Sequence, residues 1–324
     1  MSLLQRFMTA TLLFLGTIAL TACGGGAPSV ANAPIPYETQ GLMQRMGLKA
    51  DSPIFIRIFK MESQLEIWKQ RDDGRYTLLK AYPICKWSGK LGPKLKQGDK
   101  QAPEGFYTVA AYQMNPKSSY HLSFNLGYPN SLDKAYKRTG NFLMVHGNCR
   151  SAGCYAMTDV LIEEIYALAR EAFRGGQQAF QVQALPFRMT DENMQRYSGH
   201  RWAPFWRDLK KGYDAFVLTN IPPKINVCEK RYLVNAAFSP QNVKFGSTEI
   251  CPPYKIFVPE IIETPKGPKI IQALMNSPDA ARRYALQNRQ LPSNLPTNGT
   301  VPAGYRPLAT PHSTALRNAM RVSR

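Results

Sequence analysis

Acidic residues are scarce in this sequence: 22 Asp and Glu stand against 41 Lys and Arg in 324 residues, a formal charge of +19. A surplus of that size favours anionic partners. Nucleic acid is not expected among them, because no zinc-finger, helix-turn-helix or aromatic RNA-binding signature accompanies the charge. Histidine is scarcer still, with four copies. No two cysteines have finger-like spacing with histidines nearby, so no metal site is expected. Long apolar runs are missing beyond the N-terminus, and no internal repeat is found. What is present suits a globular protein, with 44% hydrophobic and 19% charged residues. That much apolar surface can offset the entropy of chain ordering.

The N-terminus carries Arg6 and then the apolar run Phe7 to Leu20. This pattern reads as an export signal over residues 1–22, too short and one-sided for a spanning helix. It ends in Leu20-Thr21-Ala22-Cys23, which resembles the bacterial lipoprotein processing site. Cys23 is then expected to carry lipid and anchor the chain to a membrane. Residues 23–50, rich in Gly, Ala and Pro at their start, read as a flexible tether.

Short strands follow at Ile54–Phe59, Leu65–Trp68, Tyr76–Tyr82, Gly105–Ala110 and Phe142–Val145, with a long loop over Lys90–Glu104. The period then changes. Val160, Ile162, Ile165, Leu168, Ala169 and Ala172 share a helical face, Thr158-Asp159 offers a cap, and Gly175-Gly176 a stop. Phe180–Leu185 returns as a strand. Together these predict a mainly β catalytic domain with flanking helices over 51–190, with an extension over 191–260 packed on it. A short helix is expected over His200–Leu209, with Trp202, Phe205 and Trp206 in a groove or in the core. Residues 261–324 read as a mostly disordered basic tail, with a weak helix over Ala273–Gln290.

Six cysteines are present. With Cys23 set aside for lipid and Cys154 for chemistry, four remain, and an oxidising compartment favours pairing. The expected pairs are Cys228 with Cys251 and Cys85 with Cys149; four free buried thiols are the alternative, since connectivity does not follow from sequence.

The chemistry concentrates in His146-Gly147-Asn148-Cys149-Arg150-Ser151-Ala152-Gly153-Cys154. A thiol attacks carbonyls once an imidazole within reach takes its proton, and the imidazole can then protonate a leaving amine. His146 follows an apolar strand, and Cys154 lies ahead of the amphipathic helix, whose N-terminus can stabilise a thiolate. The N–H groups of Gly153 and Cys154 are candidates for holding an oxyanion. Gly147 is expected to let the backbone approach substrate. Ser151 is a candidate for orienting His146 or lining the oxyanion region, and Asp99, Glu104 or a backbone carbonyl for orienting the imidazole. Arg150, Lys90 and Lys94 are candidates for binding carboxylates. His121, expected on a strand, is a candidate for substrate binding.

The chain also carries Ser88-Gly89-Lys90-Leu91-Gly92-Pro93-Lys94, Pro103-Glu104-Gly105-Phe106-Tyr107, Tyr120-His121-Leu122-Ser123-Phe124-Asn125, Met144-Val145-His146-Gly147 and Gly153-Cys154-Tyr155-Ala156-Met157-Thr158-Asp159. With the Ser-x-Gly-Cys stretch, these resemble the L,D-transpeptidase catalytic domain of the YkuD type, nearest its YafK-like murein branch, over about residues 50–255. The resemblance implies a β-rich domain with Cys154 as nucleophile and His146 as base, using no cofactor. It implies diaminopimelate-containing stem peptides of peptidoglycan as substrate, and a wall-attached lipoprotein as a candidate partner. With the expected lipid on Cys23, the chain is expected on the periplasmic face of a bacterial membrane, the outer one. Many relatives have a second His where Ala152 stands and an Arg where Ala156 stands, and a longer stretch between His and Cys. Transpeptidation and hydrolysis both stay open, and the short loop favours water over an acceptor amine. The alternative is an inactive peptidoglycan-binding lipoprotein.

Overall fold

A computed structural model describes residues 29–265 and 267–276. The export signal, Cys23 and the tail from residue 277 onward lie outside the described residues. The elements run α1 (Tyr37–Arg45), β1 (Ile54–Phe59), β2 (Gln64–Gln70), β3 (Tyr76–Pro83), β4 (Lys86–Trp87), β5 (Gly105–Ala110), β6 (Met114–Asn115), β7 (Ser123–Asn125), α2 (Ser131–Ala135) and β8 (Met144–His146). They continue with β9 (Tyr155–Ala156), α3 (Asp159–Arg174), β10 (Ala179–Leu185), α4 (Asp191–Arg196), α5 (Ala203–Thr219), β11 (Ile225–Cys228), β12 (Arg231–Val234), β13 (Ala236–Phe238), β14 (Tyr254–Thr264) and β15 (Gly267–Met275). The protein is mainly β with flanking helices.

Two five-stranded sheets carry the fold, in the orders β3-β2-β1-β10-β5 and β4-β9-β8-β7-β6. Alternation explains how they meet. Ile54, Ile56 and Ile58 of β1, with Val182 of β10, share one core with Phe124 of β7, Val145 of β8 and Tyr155 of β9. The apolar stripe of α3 (Ile162, Ile165, Leu168, Ala169, Ala172) completes that core. The other face of the first sheet is apolar too. Phe59, Phe106 and Leu185 pack with Trp206 and Leu209 of α5, and Phe55 packs with Phe216. Helix α5, 17 residues long, therefore runs on to Thr219, past the 200–209 pattern: Phe216 extends the buried face laid down by Trp206 and Leu209, and Pro204 sits in the first turn, where its missing N–H costs no hydrogen bond.

The structure corrects two expectations. Residues 29–50 are not a flexible tether: Ala31, Ile35, Met43 and Leu48 are buried in the main core. The Arg170 guanidinium donates to the carbonyls of Ala31 and Ala33 at 2.6 and 2.8 Å, and Thr39 donates to Glu164 at 2.7 Å. Nor does a structureless tail begin at 261. Residues 261–264 continue β14, which pairs along its length with β15, from Ile256↔Met275 to Thr264↔Gly267. Ala273–Met275, expected as the start of a weak helix, belong to that strand; residues 277–290 lie outside the described residues.

The loop over Lys90–Glu104 has no strand or helix, yet it is anchored. The Lys60 ammonium, fully buried, donates to the carbonyls of Lys90, Gly92 and Ala102 and to Glu104 Oε1, all within 3.0 Å. Glu104 also accepts from Gly92 N (2.7 Å) and from Trp206 Nε1 (2.8 Å). Burial pushes the Lys60 pKa down, and the Glu104 charge opposes this. Removing one partner of such a buried pair strands the other charge. Lys60→Ala is expected to lower unfolding stability by about 3–5 kcal/mol in a urea titration; a loss below about 1 kcal/mol would show that the pair does not anchor the loop.

Candidate active site

Strands β8 and β9 run parallel, with Val145 opposite Tyr155 and His146 opposite Ala156. Side chains alternate along a strand. Since Val145 and Tyr155 enter the core, His146, Ala156 and Cys154, two residues before Ala156, occupy the other face. A one-strand, two-residue offset separates the Cα atoms of His146 and Cys154 by about 8 Å, within reach of an imidazole and a thiol.

The imidazole is fixed. Its Nδ1 lies 2.6 Å from the carbonyl oxygen of Gly147, and a carbonyl only accepts. Nδ1 therefore carries the proton and Nε2 is the free base. The ring of Tyr120 stands 4.8 Å away, centroid to centroid. His146 is 4% exposed, and burial lowers its pKa below the usual histidine range, with the Gly147 bond opposing. It is neutral near pH 7. A backbone carbonyl does the orienting, so the expectation for Asp99 and Glu104 is not met: Asp99 pairs with Lys94 and Glu104 with Lys60.

Cys154 is the free cysteine among the described residues. Its Sγ accepts from Met144 N at 3.4 Å and donates to Phe142 O at 3.6 Å. Burial raises the thiol pKa; the Met144 N–H and the Lys94 charge lower it by less. The helix-terminus expectation fails for a geometric reason. Strand β9 intervenes, α3 begins at Asp159, and Asp159 Oδ1 accepts from Asn148 N at 2.6 Å. The resting pair is neutral imidazole and neutral thiol.

Ser151 does not touch the imidazole. Its hydroxyl donates to Cys154 O at 2.7 Å and accepts from Gly153 N at 3.3 Å, shaping the turn that presents Cys154. Gly153 has φ +133°, which a side chain would strain. Because its N–H is engaged by Ser151, the N–H of Cys154 is left as the candidate oxyanion donor. Gly147 meets the fold rather than substrate: a Cβ there would lie 2.5 Å from Asp159 Oδ1 and 3.0 Å from His121 Cβ. His121 is in a turn at φ +68°, not on a strand, and its Nε2 contacts Glu163 Oε1 at 2.5 Å. Lys94 is buried against Asp99 and the carbonyl of Lys96, so it is no free carboxylate clamp. Arg150 and Lys90 are exposed, with no side-chain ion pair among the described residues. Lys86, not foreseen, lies opposite Ala156 on the edge strand β4 and so on the same face as His146. The alternation Lys86-Trp87 was the available signal.

Disulfides join Cys85 to Cys149 and Cys228 to Cys251, with Cα atoms 5.3 and 5.2 Å apart. The first pins the catalytic loop to the end of β3.

A neutral thiol should alkylate slowly. Iodoacetamide labelling of Cys154, followed by peptide mass spectrometry, is expected to be slower than labelling of free cysteine near pH 7 and to rise only above the ordinary thiol range. Full reactivity at about pH 6 would instead reveal a thiolate–imidazolium pair.

The chain is 42% identical over 214 residues to "Putative L,D-transpeptidase YafK" of Escherichia coli K12, covering 66% of this chain and 85% of that protein. The counterpart in Escherichia coli O157:H7 matches equally. Among solved structures, the helical cell shape determining protein Pgp2 of Campylobacter jejuni is 18% identical, with TM-score 0.35, covering 75% of this chain and 96% of that one. Bdellovibrio bacteriovorus Bd1075 is 16% identical, with TM-score 0.31, covering 70% and 94%. No family model matches the chain. Identity of 42% to YafK over 85% of that protein makes this chain a member of the L,D-transpeptidase family, in its YafK branch.

Proposed function

We propose that the protein is a peptidoglycan-modifying cysteine acyl-transfer enzyme, acting on peptide bonds that contain diaminopimelate. The observation that carries this reading is a Gly147-oriented imidazole at the end of β8 with a free thiol in the turn just before its parallel neighbour β9, held at Met144 N of β8. As Cys154 Sγ attacks the scissile carbonyl, its proton passes to His146 Nε2. The Cys154 N–H holds the oxyanion. Collapse breaks the C–N bond, the amine leaves with the proton from Nε2, and a thioester remains. A second nucleophile, deprotonated by His146, then releases the acyl group.

Water is the second nucleophile in this proposal. Of the seven residues between His146 and Cys154, most are committed to the disulfide, the Ser151 turn and contacts with α3, which leaves little material for an acceptor platform. The Lys90–Glu104 loop, the other candidate, is tied down by Lys60. The substrate bond we propose joins peptidoglycan to a wall-attached lipoprotein. Arg150, Lys90 and Lys86 offer cations to the carboxylates of stem peptides. The same reading puts the protein outside the cytoplasm, on the periplasmic face of the outer membrane, anchored through Cys23. Two disulfides suit such a compartment.

Products distinguish the reactions. Purified protein given sacculi with bound lipoprotein, with and without a D-amino acid, is expected to release lipoprotein with a free C-terminus, and Cys154→Ala to release none. D-amino-acid incorporation or new diaminopimelate crosslinks without release would make it a transpeptidase. Binding to sacculi without turnover would make it an inactive wall-binding protein. Arg150→Ala is expected to raise KM about tenfold, the loss of one charge-assisted contact, with kcat little changed; an unchanged KM would remove Arg150 from the substrate site.

A further inference from the structure

A buried hydroxyl without a partner lies on the strand next to that of His146. Ser123 on β7 lies opposite His146 on β8 in antiparallel register. The donation of Gly147 N to Leu122 O at 3.2 Å marks this as the narrow kind of pair, which exchanges no backbone hydrogen bonds. In that kind the Cα atoms are about 4.5 Å apart and the side chains are nearest. Phe124, the next residue, enters the main core, so Ser123 shares the face of His146 and Cys154. Ser123 is 1% exposed, and its Oγ has no hydrogen-bond partner among the described residues.

A buried hydroxyl without a partner is unfavourable, and alanine would fill the space without that cost. The other polar groups near the ring are engaged. Nδ1 is bound by Gly147 O, and the His146 carbonyl accepts from Met157 N. On the neighbouring β9 side the thiol lies between Met144 N and Phe142 O. Ahead of β7, Tyr120 presents its ring, and His121 is paired with Glu163 of α3. Asp159 of α3 is bound by Asn148 N.

The reaction itself supplies a partner. When His146 takes the Cys154 proton, Nε2 becomes a donor. Once sulfur has bonded to carbon, that N–H has lost its thiolate acceptor, and the amine has not yet collected the proton. We propose that Ser123 is a positioning residue for acyl transfer, whose hydroxyl accepts from His146 Nε2–H during that interval. No bond is made or broken at Ser123. The inference rests on His146 acting as the base, as argued above.

The test uses the full chain. In Ser123→Ala, thioester formation is expected to slow about tenfold with KM unchanged, the loss of one hydrogen bond to a charged group. With the imidazolium less stabilised, the acid limb of the rate profile is expected to move down by about half a pH unit. Ser123→Thr, which keeps the hydroxyl, is expected to restore both. A purely structural role would lower stability and leave the limb in place. Nitrogen-15 histidine NMR of the same proteins reads the His146 titration without substrate. An unmoved titration in Ser123→Ala overturns this inference whatever the activity; a moved titration without any wild-type thioester overturns the acyl-transfer reading instead. If Ser123→Ala does not fold, the unmodified protein decides. A structure determined at a pH where His146 is protonated is expected to show Ser123 Oγ about 3 Å from Nε2, and a separation above about 4 Å overturns the inference.

Discussion

Everything at the site depends on the parallel pairing of β8 with β9. Parallel neighbours ordinarily need a crossover of a dozen residues or more. Here residues 147–154 make the return, which is possible because the strands are only three and two residues long. Such a short return demands unusual backbone: Asn148, Cys149 and Gly153 all have positive φ. Those conformations are held from outside. Cys149 is bonded to Cys85, its N–H donates to Met157 O, and Asn148 N is caught by Asp159. The loop that looks like a flexible active-site element is thus a strapped connection that sets the His146–Cys154 offset.

A second layer of constraint comes from polar groups buried far from the chemistry. Lys60 gathers three carbonyls of the Lys90–Glu104 loop, and Glu104 links that loop to Trp206 of α5. The loop in turn backs the nucleophile turn: Tyr155 OH donates to Pro103 O, and Gln101 lies 3.6 Å from where a Gly153 side chain would begin. The extension after residue 190 therefore helps shape the site through α5, although it supplies no catalytic group.

Much of this was legible because it is local. Strands β1, β5 and β10 announce themselves as short apolar runs, and α3 by its stripe and the Thr158 cap. The candidate nucleophile and base were named from residue chemistry and family likeness. Partners distant in sequence were not. The Gly- and Pro-containing stretch after Cys23 reads as a linker, yet Arg170 and Glu164, more than a hundred residues away, hold its later part in place. Lys94 reads as a solvated cation until Asp99 folds over it. His121 reads as a strand residue because Tyr120 and Leu122 flank it, and only the turn at φ +68° removes it. The thiol's raised pKa was missed because closeness to α3 in sequence did not become closeness to its N-terminus.

The central claim is that Cys154 forms a thioester with a peptidoglycan fragment while His146 serves as a neutral base. Intact-mass spectrometry after rapid acid quench of wild type, His146→Ala and Cys154→Ala with diaminopimelate-containing muropeptides tests it most directly. The account predicts an acyl adduct on wild type alone, removed by hydroxylamine. An adduct that persists in folded Cys154→Ala would contradict it.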